Sequence, residues 1–171
     1  LVGLPASQEG RKKKFEEDVE TWKAEVERID KGCVNGEAIW AAPDFNDAAW
    51  KSMKVPGLMQ EQDLPGFSGL VWFRKTIDIP TGWAGKDLIL NLGVIDDNDF
   101  TYFNGIQIGH TEGWMAPRSY KIPKELVKKG KAVIAVRVMD TGGTGGINGS
   151  PESISLHLSD TEAIQLAGNW K

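Results

Sequence analysis

From Cys33 onward the chain is a succession of short apolar/polar alternations cut by turn residues, and this period of two restricts the fold more than any other feature. WFRKTIDI (72–79) alternates and ends at Pro80, and LILNL (88–92) sets three leucines on one face. FTYF (100–103) runs into Asn104-Gly105, the strongest short hairpin signal, and IQIG (106–109) supplies the return strand. AVIAVRVM (132–139) is rich in β-branched residues and long enough to cross a sheet. SISLHL (153–158) places Ile154, Leu156 and Leu158 on one side. Turn markers fall between these runs: Pro80-Thr81-Gly82, Gly93, Gly130 and the glycine run 142–149. The expectation is an all-β jelly-roll β-sandwich over residues 33–171. A short helix is expected at PKELVKKG (123–130), with Pro123 at its start and Gly130 at its end.

Residues 1–32 have a different character. In QEGRKKKFEEDVETWKAEVERIDK (8–31), Phe15, Val19, Trp22, Val26 and Ile29 follow a +4, +3, +4, +3 spacing, which gathers them on one helical face. Ser7 is the expected N-cap, Glu9 suits the first turn and Gly32 is the expected stop. The pattern lasts about two heptads, short of the ~3–4 that a coiled coil requires. One amphipathic helix is expected, packed on its own domain or on missing parent sequence.

The 171 residues suffice for one domain with a core, and 40% hydrophobic with 26% charged residues is ordinary for a globular chain. Net charge is −4, and no basic stripe interleaves with aromatics, which argues against nucleic acid as a partner. No apolar run approaches the ~20 residues of a membrane helix. The single cysteine, Cys33, makes no internal disulfide and has no cysteine neighbours for a zinc site. The chain opens LVGLPASQEG without an initiator Met and stops abruptly at GNWK, so an excised fragment is expected, with any targeting signal cut away.

Candidate chemistry concentrates in GVIDDNDFTYFNG (93–105). Asp96, Asp97 and Asp99 repel one another unless a cation or hydrogen-bond donors lie among them. Calcium is the natural cation for such oxygens, but the spacing is too compressed for an EF-hand loop. A paired-carboxylate glycosidase is a second reading, yet Asp96 and Asp97 point to opposite sides of an extended chain. The third is a corner between strands whose aspartates bond local N–H groups or pair with Arg118 or Arg137. His110 and His157 are the two histidines; His157 falls on the polar face of its strand. No His-Glu-x-x-His or Gly-x-Ser-x-Gly occurs, and no complete triad or dyad is visible. DTGGTGGINGS (140–150) lacks the Gly-Lys-Ser/Thr ending of a phosphate loop and reads as a flexible connection that passes close to a ligand. Most of the seven tryptophans are expected to be structural. A carbohydrate-facing rim, if present, would combine Asp96, Asp97, Asp99, Trp114, Arg118 and Tyr120 beside the glycine loop, since sugar recognition joins aromatic stacking to bidentate polar contacts.

Five segments, DFNDAAWKSMKVPG (44–57), GLVWFRKTIDIP (69–80), GWAGKDLILNLGVIDDNDFTYFNGIQIGHTEGW (82–114), RSYKIPKELVKKGKAVIAVRVMD (118–140) and GGINGSPESISL (145–156), resemble in order the jelly-roll insert of bacterial sialate O-acetylesterases. That insert is similar to the galactose-binding-like, sugar-binding domain of family 2 glycoside hydrolases. The resemblance covers roughly residues 36–171, and the helix at 8–31 is similar to the segment leading into the insert. It implies a parent that removes acetyl groups from sialic acids through an SGNH-type hydrolase domain, with serine in a Gly-Asp-Ser context and a late Asp-x-x-His. Neither motif occurs here. The chain is therefore expected to be a noncatalytic accessory module partnered by that hydrolase domain; the alternatives are an independent carbohydrate-binding module, with glycans as partners, and a structural spacer with a bound calcium, and no other cofactor is expected. The parent is expected in the periplasm or outside the cell.

Overall fold

The computed structural model describes residues 8–171, which divide after Asp30 into two units. Ser7 lies outside the described residues. The first unit is the helix α1 (Gln8–Arg28), with Glu9 in its first turn and Arg28 in its last, both favourable to the helix dipole. Lysines at 12, 13 and 14 lie 3.8–3.9 Å from the acids four residues on, at Glu16, Glu17 and Asp18. The helix stops one residue short of Ile29, the last member of the apolar stripe. It has no buried residue, and Phe15 is 68% exposed.

The second unit holds fourteen strands, all paired antiparallel. In chain order they are β1 (Cys33–Val34), β2 (Glu37–Ala38), β3 (Met53–Val55), β4 (Gly57–Leu58), β5 (Gly69–Ile79), β6 (Leu88–Asp96) and β7 (Asn98–Phe103). They continue with β8 (Ile106–Thr111), β9 (Pro117–Ile122), β10 (Gly130–Asp140), β11 (Gly146–Asn148), β12 (Ile154–His157), β13 (Ala163–Gln165) and β14 (Gly168–Trp170). One sheet runs β5-β10-β7-β8. The other runs β13-β12-β6-β11-β4, and β9 also pairs with β6. Two-stranded ribbons, β1-β2 and β14-β3, complete the unit. This is the expected jelly-roll sandwich.

The alternating runs bury as their period dictates. Leu88, Leu90 and Leu92 of one sheet meet Phe73, Ile134, Val136 and Val138 of the other in a common core, closed by Ile154, Leu156 and Trp170. β10 is buried at nine consecutive positions, because its second face is covered as well. Residues 33–50 lie over that face, where Ala41 packs with Trp72, Tyr102 and Ala135, and Trp40 and Trp50 meet edge-on at 5.1 Å. At each fully buried Leu or Ile the burial is worth about 1.5–3 kcal/mol.

At Gly93 the register of β6 against β9 shifts. Its φ of +63° and the carbonyl of Asn148, only 2.1 Å from where a Cβ would stand, leave room for glycine alone. The expected helix at 123–130 is only a 3-10 turn, Lys124–Leu126. Proline at its entry and the entry of Gly130 into β10 leave too few residues to propagate an α-helix.

Candidate functional site

The acidic stretch is where the chain leaves one sheet for the other. β6 ends at Asp96, β7 begins at Asn98, and the single residue between them, Asp97, makes the bend. Asp99 therefore points inward. It is 0% exposed and accepts hydrogen bonds from Arg118 Nε (2.8 Å), Tyr120 Oη (2.9 Å) and Thr101 Oγ1 (2.7 Å). Arg118 and Tyr120 stand on β9 of the opposite sheet, so the network ties the two layers together at this end. The Tyr120 hydroxyl also reaches Thr111 Oγ1 at 2.8 Å, and burial together with the nearby Asp99 carboxylate raises the tyrosine's pKa.

Arg118 spends every nitrogen. Nη1 donates to the carbonyls of Gly113 (2.7 Å) and Ala116 (2.5 Å), and Nη2 to those of Asp97 (2.8 Å) and Thr111 (3.4 Å). The guanidinium thus holds the β6–β7 corner and the 111–116 loop at once. Of the six rim candidates, Asp99, Arg118 and Tyr120 are brought together, but inside the sandwich, at 0, 1 and 8% exposure. Asp96 and Asp97 are half-buried and Trp114 is 57% exposed.

The structure corrects the expectation that Asp96 and Asp97 point apart. The Asp97 carboxyl lies close enough to raise the pKa of Asp96, because Asp97 sits in a bend rather than in extended strand, where alternation would apply. The Asp96–Asp97 peptide is cis. Asp97 Oδ2 also accepts from the Thr141 N–H (2.8 Å) and hydroxyl (2.5 Å). Burial, the contact with Asp97 and the charge of Asp140 push the Asp96 carboxyl up to about 7. Two carboxyl groups in contact are too close for the ~5 Å or more that separates a glycosidase pair. Among the described residues no group of three or more His, Cys, Asp or Glu side chains is arranged to hold a metal ion.

The glycine loop is fastened to this corner. Gln60 donates to Asp140 Oδ2 (2.7 Å) and accepts from the Gly145 N–H (2.9 Å), and Asp140 also accepts from the Gly142 N–H (2.9 Å). Its far end becomes β11 and joins the six-stranded sheet.

The histidines take unexpected partners. His110 stacks on Phe100 at 4.1 Å, and its Nδ1 lies 2.7 Å from the Asp99 carbonyl. His157 Nε2 lies 2.8 Å from Ser155 Oγ, a serine–histidine contact that strand alternation implied but the sequence reading passed over. Ser155 is 1% exposed, and the other ring nitrogen meets the Ser159 carbonyl at 3.4 Å rather than a carboxylate. A reacting pair needs an accessible nucleophile and an oriented base, and this one has neither.

A cleft of about 980 Å³ opens elsewhere, between the β1–β2 ribbon, the 42–46 loop and the tip of the β7–β8 hairpin. Arg74, 2% exposed, pins the loop from below through Asp47 (2.8 Å) and the carbonyls of Trp40, Ala42 and Phe45. Its parts are remote in sequence, so no local motif marks it. Its charged lining residues, Glu37 and Asp44, are both acidic.

This geometry defines a class: an all-β jelly-roll sandwich whose two sheets are joined at one end by a buried polar tie. Among solved structures, the Bacteroides uniformis beta-glucuronidase is similar with a TM-score of 0.57 and 25% identity, over 67% of this chain and 15% of that one. Bacteroides uniformis beta-glucuronidase 2, covalently bound to cyclophellitol-6-carboxylate aziridine, is similar with a TM-score of 0.55 and 24% identity, over 63% and 14%. A beta-glucuronidase from glycoside hydrolase family 2 gives 0.53 and 22%, over 58% and 12%. The chain thus spans a small part of each of these proteins. No protein-family model matches it.

Proposed function

We propose that this chain is a noncatalytic accessory module of a carboxylic-ester hydrolase of the sialate O-acetylesterase kind, seated beside an SGNH-type hydrolase domain of the same parent polypeptide. The observation that carries the reading is the use made of the acidic corner. Asp99, Arg118 and Tyr120 are spent on joining two sheets, and the Ser155–His157 contact has a buried hydroxyl and no acid. The motif order over residues 36–171 supports the esterase parent, and the likeness to segments of glycoside hydrolases supports an accessory role beside a sugar-acting domain. The test is the gene product that carries this chain. It is expected to release acetate from O-acetylated sialic acid, with activity lost on mutation of a serine outside these 171 residues. A gene product without a further folded hydrolase domain would overturn the reading.

A second reading, a carbohydrate-binding module in its own right, is favoured by the exposed Trp114, which follows Gly113, whose carbonyl shares the Arg118 guanidinium with that of Asp97. Titration calorimetry of the chain against a panel of glycans decides it: heat that Trp114→Ala abolishes supports binding, and no heat with any sugar removes it.

A further inference from the structure

Trp114 and Met115 stand side by side on the segment between β8 and β9, 57% and 68% exposed. A single exposed apolar residue is ordinary. Here two of the largest apolar side chains occupy adjacent positions on a backbone that is fixed from both ends. The Gly113 N–H donates to Asn98 Oδ1 (3.0 Å), and the carbonyls of Gly113 and Ala116, flanking the pair, accept from Nη1 of Arg118. Arg118 is in turn held by a fully buried ion pair with Asp99. A loop that merely joins two strands gains nothing by presenting a tryptophan and a methionine to water from so rigid a base. A contact surface does gain, because a pre-ordered loop loses little conformational entropy on association. Tryptophan and methionine are both enriched at protein interfaces, and tryptophan is the commonest energetic anchor there.

The charged residue that leads into the arm is acidic: Glu112, with its side chain 76% exposed and 3.6 Å from His110 Nε2, precedes it, and the backbone carbonyl of half-buried Asp97 accepts from the same guanidinium that anchors the arm. The segment 112–117 contains no lysine or arginine, and Arg118 is sealed inside. We infer that Trp114–Met115 is a docking arm that enters an apolar pocket rimmed by lysine or arginine on the hydrolase domain of the parent polypeptide. The inference rests on the accessory-module reading. Solved proteins with this fold carry it as 12–15% of their length, so most of each such polypeptide lies outside the shared fold.

Oxidation of Met115 by hydrogen peroxide, followed by mass spectrometry, tests the assignment in the isolated chain and in the gene product that carries it. Met59 and Met139, 0 and 6% exposed, report in the same digest that the fold is intact. Met115 is expected to oxidise readily in the isolated chain and at least about tenfold more slowly in the gene product. Trp114→Glu in the gene product is expected to restore fast oxidation of Met115 while Met59 and Met139 stay slow. Equal rates for Met115 in the two forms would overturn the docking arm. So would protection of the isolated chain by N-acetylneuraminic acid with none in the gene product, which would give the arm to a sugar. Absence of any hydrolase domain from the gene product is a separate failure, that of the accessory-module reading.

Discussion

Asp99 shows how one residue's environment decides its role. A carboxylate in a Asp/Asn-rich stretch reads as surface chemistry, yet three donors from two strands converge on it at 0% exposure. Removing one partner of a buried pair leaves an uncompensated charge, so Arg118→Met is expected to lower stability by about 3–5 kcal/mol. The double variant Asp99→Asn/Arg118→Met should recover part of that loss. Urea denaturation of the two proteins checks both. Asp96 makes the opposite kind of prediction. Its folded-state pKa of about 7 lies above the ordinary 3.8, so in that window the folded chain binds more protons than the unfolded one. Its contribution is present in full below about pH 4 and is lost as pH rises through about 7. Asp96→Asn should therefore flatten the decline in melting temperature over this interval and leave the acid limb unchanged. An identical slope in the variant and the parent would show that the carboxyl pair does not share its proton.

At the scale of elements, the β7–β8 hairpin turned out as its Asn-Gly signal required. Asn104 adopts φ +49°, and both its backbone N–H and its side-chain oxygen bond Val133 at 2.8 Å. Asn104→Ala loses the side-chain bond and meets the left-handed penalty, and is expected to cost about 1–2 kcal/mol. On the return strand, a Cβ at Gly109 would stand 2.2 Å from the Tyr120 ring, whose hydroxyl is tied to Asp99. Gly109→Ala is expected to cost at least about 1–3 kcal/mol through overpacking, read as a lowered melting temperature. The long strands were legible because one face of each meets the core, which forces alternation in WFRKTIDI and LILNL. The short β4, β11 and β13 carry two or three residues each, too few for any period to register. β9 does alternate, with Arg118, Tyr120 and Ile122 all inward, but an arginine at an inward position disguises the pattern. The bend at Asp97 hid the Asp96–Asp97 contact for the converse reason, since alternation was extended across a residue where the strand had ended.

For the whole molecule, the sandwich was visible in the order of turns and alternations, whereas the concave surface was not. The 980 Å³ cleft joins residues near 40 to residues near 105 through a loop that buried Arg74 organises, and nothing in the local sequence announces such a meeting. Arg74 and Arg118 play parallel parts, each a buried cation whose donors fasten a loop to the body of the fold. Two acids line the cleft without a cation, which disfavours an anionic sugar there. Calorimetry with glucuronic acid should accordingly give no heat that Asp44→Ala alters. The noncatalytic role proposed for these residues rests on the burial of Ser155 and on the use of Asp99, Arg118 and Tyr120 to join the two sheets. The most direct measurement is hydrolysis of a small acetyl ester by the isolated chain. The account predicts a rate equal to the buffer background, unchanged in Ser155→Ala. Sustained turnover that one substitution within these 171 residues abolishes would contradict it.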